Sequence, residues 1–218
     1  MKKLRLFLVL LCVFIMCFGT VYPAFAAGAD IKLENHPNSL HVDLMSALMQ
    51  RQSTRSGFTS QKIPVSDLST ILWAANGINR KNNQRTAPTA LGKYFIDIYV
   101  AANEGVYKYN PAGNLLKWVS ASNIKTNIGT QPDIGTASHV LIFVADLRVL
   151  PPVMERAAKL DMANGTAGTI AENVYLTAAA LKLGTRLVAS IKENNIREAL
   201  QLNKDEVPLY IMPLGYSK

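Results

Sequence analysis

The spacing of hydrophobic and polar positions along the chain predicts helices first and strands later. The first amphipathic stretch runs from Ser39, a candidate helix cap, to about Gln52. Its apolar positions recur at helical spacing, and they are Leu40, Leu44, Met45, Leu48 and Met49. A stripe of this kind faces either the core or another subunit.

A second helix is predicted from Pro64 to about Asn76. Proline suits the first helical position, and Leu68 and Leu72 recur at helical spacing. Residues 78–92 follow, and they contain many residues that disfavour regular structure, so this segment is predicted to be a loop.

Runs of β-branched and aromatic residues predict the strands of a sheet. They span residues 94–101, 106–109, 115–119, 140–145, 186–191 and 207–214. Val140–Ala145 is almost continuously apolar, as expected of a central strand buried on both faces. Pro208 and Pro213 indicate an edge or crossover position for the last strand. Because helices flank these strands, the pattern predicts an α+β domain in which helices pack on a sheet.

The stretch 165–185 suggests a ligand site. Two glycines precede an alanine-rich run of helix formers that ends at Gly184. We predict a short helix from Pro151 before this stretch and a helix capped by Asn195 after it. A buried helix entered through a flexible loop presents unpaired amides and the positive end of its dipole, which suit an anionic or electron-accepting ligand. An ordinary core helix behind a glycine-bearing loop explains the same residues.

The first 26 residues have the pattern of a secretory signal. Basic residues begin the segment, an apolar run spans residues 6–18, and an A-x-A cleavage site ends at Ala26. The mature protein is therefore expected to be exported, periplasmic or secreted, without stable membrane insertion. An anchor that is not cleaved is the alternative.

Composition narrows the remaining possibilities. Both cysteines, Cys12 and Cys17, lie inside the signal, so the mature chain has no disulfide or thiolate site. Residues 27–38 are polar and predicted to be a mobile lead-in, and residues 39–218 are predicted to form one domain. The net charge of +8 is not gathered into a Lys/Arg run, so no nucleic-acid partner is expected. The histidines lack ligand spacing, so no metal site is predicted.

A basic turn follows the first predicted helix. Arg51 and Arg55 lie four residues apart, with Gln52 and Ser53 between them. Two guanidinium groups and a hydroxyl match a phosphate group well, although a solvated helix end explains the same residues. The loop 85–92 could line a polar heterocycle with its hydroxyls and amides, or be a plain loop.

Six segments in order resemble the nitroreductase-like FMN-dependent flavoproteins, and they are most similar to the branch of azoline-forming-cluster (SagB-type) dehydrogenases. The segments are RQSTRSGF at 51–58, ILWAANGI at 71–78, RTAPTALGKYFIDIYV at 85–100, GVYKY at 105–109, TAGTIAENVYLTAAALKLGT at 166–185 and PLYIMPLG at 208–215. The similarity covers most of residues 48–216, and the order of the segments makes it specific.

The resemblance implies an α+β fold with a central, mostly antiparallel sheet flanked by helices, and FMN bound at a homodimer interface. It implies hydride transfer through flavin N5 between a small-molecule electron donor and acceptor, with no catalytic side chain. The cofactor-binding residues that it implies are Arg51, Gln52, Ser53 and Arg55 for the phosphate and ribityl chain, Pro88, Thr89, Ala90 and Leu91 beside the ring, the backbone of Thr166, Ala167 and Gly168 at the N5 edge, and Gly184, Thr185 and Lys218 near the phosphate.

The chain departs from the family pattern in three places. Leu91 and Lys182 stand where the family has glycine, and the extended C-terminal arm of the family is reduced to Lys218. These departures favour a second hypothesis, a non-catalytic relic that binds a ligand or partner without turnover. The retained basic turn at 51–55 favours the oxidoreductase.

Overall fold

The computed structural model describes residues 28–218. The predicted signal at 1–26 lies outside the described residues. Within residues 28–218, no helix is both long and apolar enough to cross a membrane.

The described part of the chain contains four α-helices and seven strands. The helices are α1 (Leu44–Gln50), α2 (Val65–Asn76), α3 (Arg156–Ala180) and α4 (Glu193–Leu200). The strands are β1 (Ile31–Lys32), β2 (Ile96–Ala101), β3 (Val106–Asn110), β4 (Leu115–Ser120), β5 (His139–Asp146), β6 (Gly184–Thr185) and β7 (Glu206–Gly215).

All seven strands join one antiparallel sheet in the order β1-β4-β3-β2-β5-β7-β6. The central strand β5 is buried along almost its whole length, as its apolar run predicted. Successive side chains of a strand face opposite sides, so Leu141 and Phe143 pack with α2 and α3. Val140 and Ile142 pack on the other side with α4. The predicted α+β sheet flanked by helices is confirmed.

Helix α3 differs from its prediction, because it is one helix of 25 residues and not two helices joined by a glycine loop. Its buried face continues through the glycines, with Ala163, Ala167 and Ile170 all in the core. A Cβ added at Gly165 or Gly168 would meet nothing within 4 Å. Two glycines cost a helix interior only about 1 kcal/mol each, which the packing of the buried face outweighs.

Two consequences of the long helix correct the expected ligand site. The amides of Thr166, Ala167 and Gly168 lie inside the helix, where they bond to carbonyls of the preceding turn and are not free donors. Gly184 does not cap the helix, which ends at Ala180, and lies instead in β6. The left-handed residue after the helix is Lys182, with φ 57°.

Helix α1 is shorter than predicted. It begins at Leu44 because Asp43, and not Ser39, caps it by accepting a 3.0 Å hydrogen bond from the amide of Ser46. Of its side chains only Ala47 is buried, and the predicted apolar stripe is exposed at Leu44, Met45, Leu48 and Met49. The stripe therefore does not face the core of this chain, and subunit contact stays a prediction.

Other boundaries also differ from the sequence pattern. The lead-in is partly ordered, because β1 pairs with β4 and Leu33 is buried. Helix α4 begins at Glu193, so Asn195 lies inside it and does not cap it. The predicted strand at 186–191 is reduced to single bridges after β6.

Strand β7 lies between β5 and β6, and not at the edge that its prolines indicated. A shift in the pairing with β5 lies beside Pro208, where one residue of β7 has no opposite partner. Such an irregularity accommodates a residue that cannot donate a ladder hydrogen bond.

His139 is completely buried at the start of β5, and its Nδ1 lies 3.0 Å from Ser138 Oγ. Burial, and next to it the positive charge of Lys125, lowers the pKa of His139 to about 4. Lys125 is buried too, and its Nζ donates to the carbonyls of Ala137 and Ser138 at 2.7 and 3.3 Å. The imidazole is therefore held in its neutral form.

This burial predicts a loss of stability in acid. An unfolded histidine takes up a proton below about pH 6.5, whereas folded His139 does so only near pH 4. The free energy of unfolding should therefore be fully present above about pH 6.5 and fall by about 3 kcal/mol between pH 6.5 and 4. Urea titrations across this range measure the slope. His139→Gln should flatten the slope and His41→Gln, at an exposed position, should not; equal slopes in both variants would contradict the prediction.

Candidate functional site

A cleft of about 490 Å³ opens where the end of α1, the last turns of α3, and β6 meet. Its lining consists of residues 49–52 and Thr54, Tyr175 and Ala179 of α3, residues 182–185, and Ser217 near the chain end. Distant parts of the sequence therefore converge on one place, and four predicted site residues, Arg51, Gln52, Gly184 and Thr185, are among them.

The basic turn after α1 is attached directly to β6. The amide of Thr54 donates a 2.9 Å hydrogen bond to the carbonyl of Thr185. A Cβ at Gly184 would lie 2.7 Å from Thr54 Oγ1 and 3.1 Å from Ser217 Oγ. A side chain at 184 would therefore crowd the side chains of Thr54 and Ser217, so glycine favours the close approach of the turn and does not act as a helix cap.

Arg186 also holds the basic turn in place. Its Nη1 donates to the carbonyls of Thr54 and Arg55, both at 2.9 Å. The guanidinium also forms a two-pronged ion pair with Asp133, at 2.7 and 2.9 Å, and lies 5.7 Å from the centre of the Phe58 ring. Hydrogen bonds from Arg186 lower the pKa of Asp133. The sequence pattern did not identify Arg186, because its partners lie 53 and about 130 residues away along the chain.

Tyr175 links α3 to both sides of the cleft. Its hydroxyl accepts a 2.7 Å hydrogen bond from the amide of Leu187 and lies 3.0 Å from Ser53 Oγ. The guanidinium of Arg51 lies 5.4 Å from the centre of its ring. Sequence reasoning missed this residue too, although a single tyrosine in an alanine-rich helix was the available signal.

The electrostatics of the cleft favour an anion. Arg51 and Lys182 bring two positive charges to the lining, which includes no Asp or Glu in the described part of the chain. Thr185 Oγ1 is buried and has no hydrogen-bond partner among residues 28–218. A buried polar group without a partner is costly, and an anionic oxygen would satisfy it.

Three predicted residues lie beside the cleft and not in its lining. Ser53 reaches it only through Tyr175. The carbonyl of Arg55 is held by Arg186, while its side chain is exposed. Lys218 donates its amide to the carbonyl of Gly57 at 3.1 Å, which ties the end of the chain to the basic turn.

The residues predicted to line a ring form a separate group. The hydroxyl of Thr169 donates to the carbonyl of Thr166 at 2.8 Å within α3, and its oxygen lies 3.5 Å from the carbonyl oxygen of Pro88, so the loop contacts the helix at this residue. Thr89 Oγ1 donates to the carbonyl of Lys93, and Ala90 and Leu91 belong to a 3₁₀ turn over Ala90–Gly92. The contact at Thr169 lies six residues before Tyr175, which is about 9 Å along α3 at the helical rise per residue. The structure thus gathers the predicted residues into two groups along one helix.

Exposure differs within the helical part of the second group. Thr166 and Ala167 are buried, whereas Gly168 is exposed. Three acidic residues of the described chain are engaged in ion pairs: Asp97 with Lys108, Asp133 with Arg186 and Asp146 with Arg148. Over residues 28–218, no group of three or more His, Cys, Asp or Glu could hold a metal ion.

Comparison with known proteins gives the family. The model of the nitroreductase family matches residues 48–216. The chain belongs to the nitroreductase family. A candidate nitroreductase of Methanocaldococcus jannaschii is 30% identical over 192 residues, which is 82% of this chain and 93% of the relative.

Solved structures agree with this assignment. A candidate nitroreductase of Ralstonia eutropha JMP134 is similar with a TM-score of 0.82 and 32% identity, over 88% of this chain and 91% of that chain. A chain of the Escherichia coli microcin synthetase complex is similar with a TM-score of 0.66 over 97% of this chain and 82% of its own. Its identity is 18%, so this likeness shows the fold alone.

The contacts of Arg186 predict a large effect on stability. Arg186→Leu should lower the free energy of unfolding by about 2–4 kcal/mol, because Asp133 and two carbonyls lose a buried donor. Urea denaturation measures this change. Arg148→Leu is the matched control, since Arg148 makes a similar two-pronged pair with Asp146 but is 53% exposed. The control should have a much smaller effect, because its ion pair is exposed to solvent, and equal losses would refute the proposed role of Arg186.

Proposed function

We propose that this member of the nitroreductase family is an exported, FMN-dependent oxidoreductase that passes electrons from a small-molecule donor to a small-molecule acceptor. The observation that carries the proposal is the cleft, which combines Arg51, Lys182 and the unpartnered hydroxyl of Thr185 without a carboxylate in its lining. This donor set suits a phosphate group, and FMN carries one at the end of its ribityl chain.

The described residues fit FMN best at its phosphate end. Arg51 would bind phosphate oxygens directly, and Thr185 Oγ1 would gain the partner that it lacks. Ser53 and Tyr175 would hold the basic turn in place from α3. Gly184 leaves room there, because a Cβ at this position would force the side chain of Thr54 to shift.

The second group of residues would lie beside the ring. Pro88, Thr89, Ala90 and Leu91 would form one side of the ring site, and the exposed Gly168, where an added Cβ would meet nothing within 4 Å, would offer open helix surface on the other. Since the helix uses the amides of residues 166–168, a polar contact on this side would come from the exposed hydroxyl of Thr169, which donates to the carbonyl of Thr166 and keeps its oxygen as an acceptor. Bound FMN would supply hydride chemistry at N5, so the chain needs only to bind, orient and exclude water.

The proposal includes a homodimer in which the exposed stripe of α1 is covered. Four large apolar side chains, Leu44, Met45, Leu48 and Met49, are exposed on a helix of seven residues. Exposed apolar surface of this kind marks an interaction site. The stripe adjoins the cleft, since Met49 belongs to the cleft lining.

Absorbance spectroscopy and titration test the cofactor. Purified protein, or protein incubated with FMN, should show the visible absorbance bands of an oxidised flavin, and these bands should bleach with reductant. Arg51→Ala should weaken FMN binding by at least about tenfold, because it removes charge-assisted hydrogen bonds. Arg156→Ala is the control, because Arg156 lies at the opposite end of α3 in an exposed ion pair with Asp205. This change should leave the affinity for FMN unchanged. Colourless protein that takes up no FMN would contradict the proposal.

The position of Arg55 allows a second comparison. Its exposed side chain lies outside the cleft lining, although the family resemblance assigns it to the phosphate. We expect Arg55→Ala to cost less FMN affinity than Arg51→Ala. A larger loss at Arg55 would mean that the phosphate lies outside this cleft.

Light scattering tests the dimer. Met45→Glu should shift the protein toward monomer, because it places a charge in the middle of the stripe, where Met45 is 63% exposed. Val153→Glu is the control, since Val153 is 94% exposed on another part of the surface. A mass that is the same for both variants and the unaltered protein would exclude the α1 stripe as the subunit contact.

One observation favours a non-catalytic relic as the alternative function. Leu91 occupies the left-handed region with φ 55° and exposes 56% of its surface beside the proposed ring site. A leucine side chain there could fill part of the space that a ring requires. A relic would bind ligand without electron transfer, so reduction of bound FMN by a chemical reductant followed by reoxidation with an acceptor such as a quinone separates the two functions.

A further inference from the structure

Lys182 has a backbone conformation that its side chain does not favour. It follows α3 with φ 57°, its amide donates to the carbonyl of Ala179 at 3.0 Å, and the amide of Leu183 donates to Ala178 at 2.8 Å. This left-handed position after a helix is usually taken by glycine, because a Cβ is disfavoured there. A lysine at this place carries a local cost that some other contact must offset.

The surroundings of Lys182 indicate what that contact is. Lys182 lines the same cleft as Arg51 and Thr185, and no Asp or Glu among the described lining residues neutralises the two cations. The carboxyl end of α3, which is the negative end of the helix dipole, also lies beside this region and would repel an anion. A lysine at the helix end offsets that repulsion and adds a donor for the anion.

We propose that Lys182 is a specificity-determining residue that binds the phosphate of a phosphomonoester ligand, in concert with Arg51 and the buried hydroxyl of Thr185. The inference rests on the proposed FMN function for the identity of the ligand, but the phosphate chemistry stands on the cleft itself. Lys182 would make the cleft select the phosphorylated form of the flavin over riboflavin, which has the same ring without the phosphate.

A lysine that merely complements the helix dipole is the competing explanation, and it predicts a different set of effects. In that case, removal of the charge would lower stability slightly and leave ligand selection unchanged. If Lys182 binds phosphate, removal of its charge weakens the binding of the phosphorylated ligand only. Replacement by glycine should also relieve the backbone cost.

The experiment measures the dissociation constants of FMN and riboflavin by flavin fluorescence for three variants. Lys182→Met and Lys182→Gly should each weaken FMN binding by about tenfold and leave the affinity for riboflavin unchanged. Lys182→Arg should keep the preference for FMN, because it retains the charge.

Gln201→Gly is the matched control for the backbone effect. Gln201 follows α4 with φ 53°, outside the cleft. Both Lys182→Gly and Gln201→Gly should raise the thermal midpoint by about 2–4 °C, but only the change at Lys182 should alter FMN affinity. A variant with improved stability and poorer FMN binding cannot be explained by misfolding.

The outcomes separate this inference from the proposed function. If the Lys182 variants lose equal affinity for FMN and riboflavin, or lose affinity for neither, the role of Lys182 is overturned. The proposal that the unaltered protein binds flavin would still stand. If the unaltered protein binds neither flavin, the FMN function fails, and calorimetry with inorganic phosphate tests the cleft instead. Phosphate binding that is lost in Lys182→Met would then support the inference, and binding that is absent or independent of Lys182 would refute it.

Discussion

The site depends on one interaction, the hold that Arg186 exerts on the turn after α1. Its guanidinium reaches the carbonyls of Thr54 and Arg55 and the carboxylate of Asp133, and is itself largely buried. A turn with no regular structure of its own is thus fixed to the strand that follows α3. Because Asp133 neutralises the charge of Arg186, Arg186 can position the turn without drawing an anion away from Arg51.

Helix α3 carries both halves of the candidate site, and its continuity has a consequence for the chemistry. The Pro88 loop contacts it at Thr169, and the cleft contacts it at Tyr175 and Ala179. A rigid helix with a buried face holds these two groups at a fixed separation, which suits a ligand with an anionic tail and a flat head. The same continuity removes free amides from the middle of the helix, so its contribution there is shape and not hydrogen bonding.

Much of the fold could be predicted from the sequence, because periodicity reports burial directly. The β5 run, α2, and the three strands before β5 were found close to their predicted positions. Errors arose where local chemistry competed with tertiary packing. Glycines suggested a break in α3, but a helix whose other face is buried accommodates them. Asp43, and not Ser39, caps α1, because its carboxylate accepts a hydrogen bond from the amide of Ser46, and the spacing of apolar residues does not reveal this contact. In the site, Arg51, Gln52, Gly184 and Thr185 were predicted from the family resemblance, whereas Arg186 and Tyr175 act through distant partners that no local pattern contains.

Several features of the cleft also lower the stability of the protein when no ligand is bound. Arg51 and Lys182 place like charges in one lining, Thr185 buries a hydroxyl without a partner, and Lys182 holds an unfavourable backbone conformation. The buried hydroxyl and the backbone conformation of Lys182 cost stability in the absence of a ligand, and an anion bound between the two cations would offset their repulsion and give the hydroxyl a partner. Several destabilising features in one cleft indicate a functional site more reliably than any single residue there. A sequence that only had to fold would replace such residues with ones that pack or pair better. Ligand binding would then add to the stability of the fold in proportion to its occupancy, so the same residues couple cofactor capture to the stability of the turn that Arg186 holds.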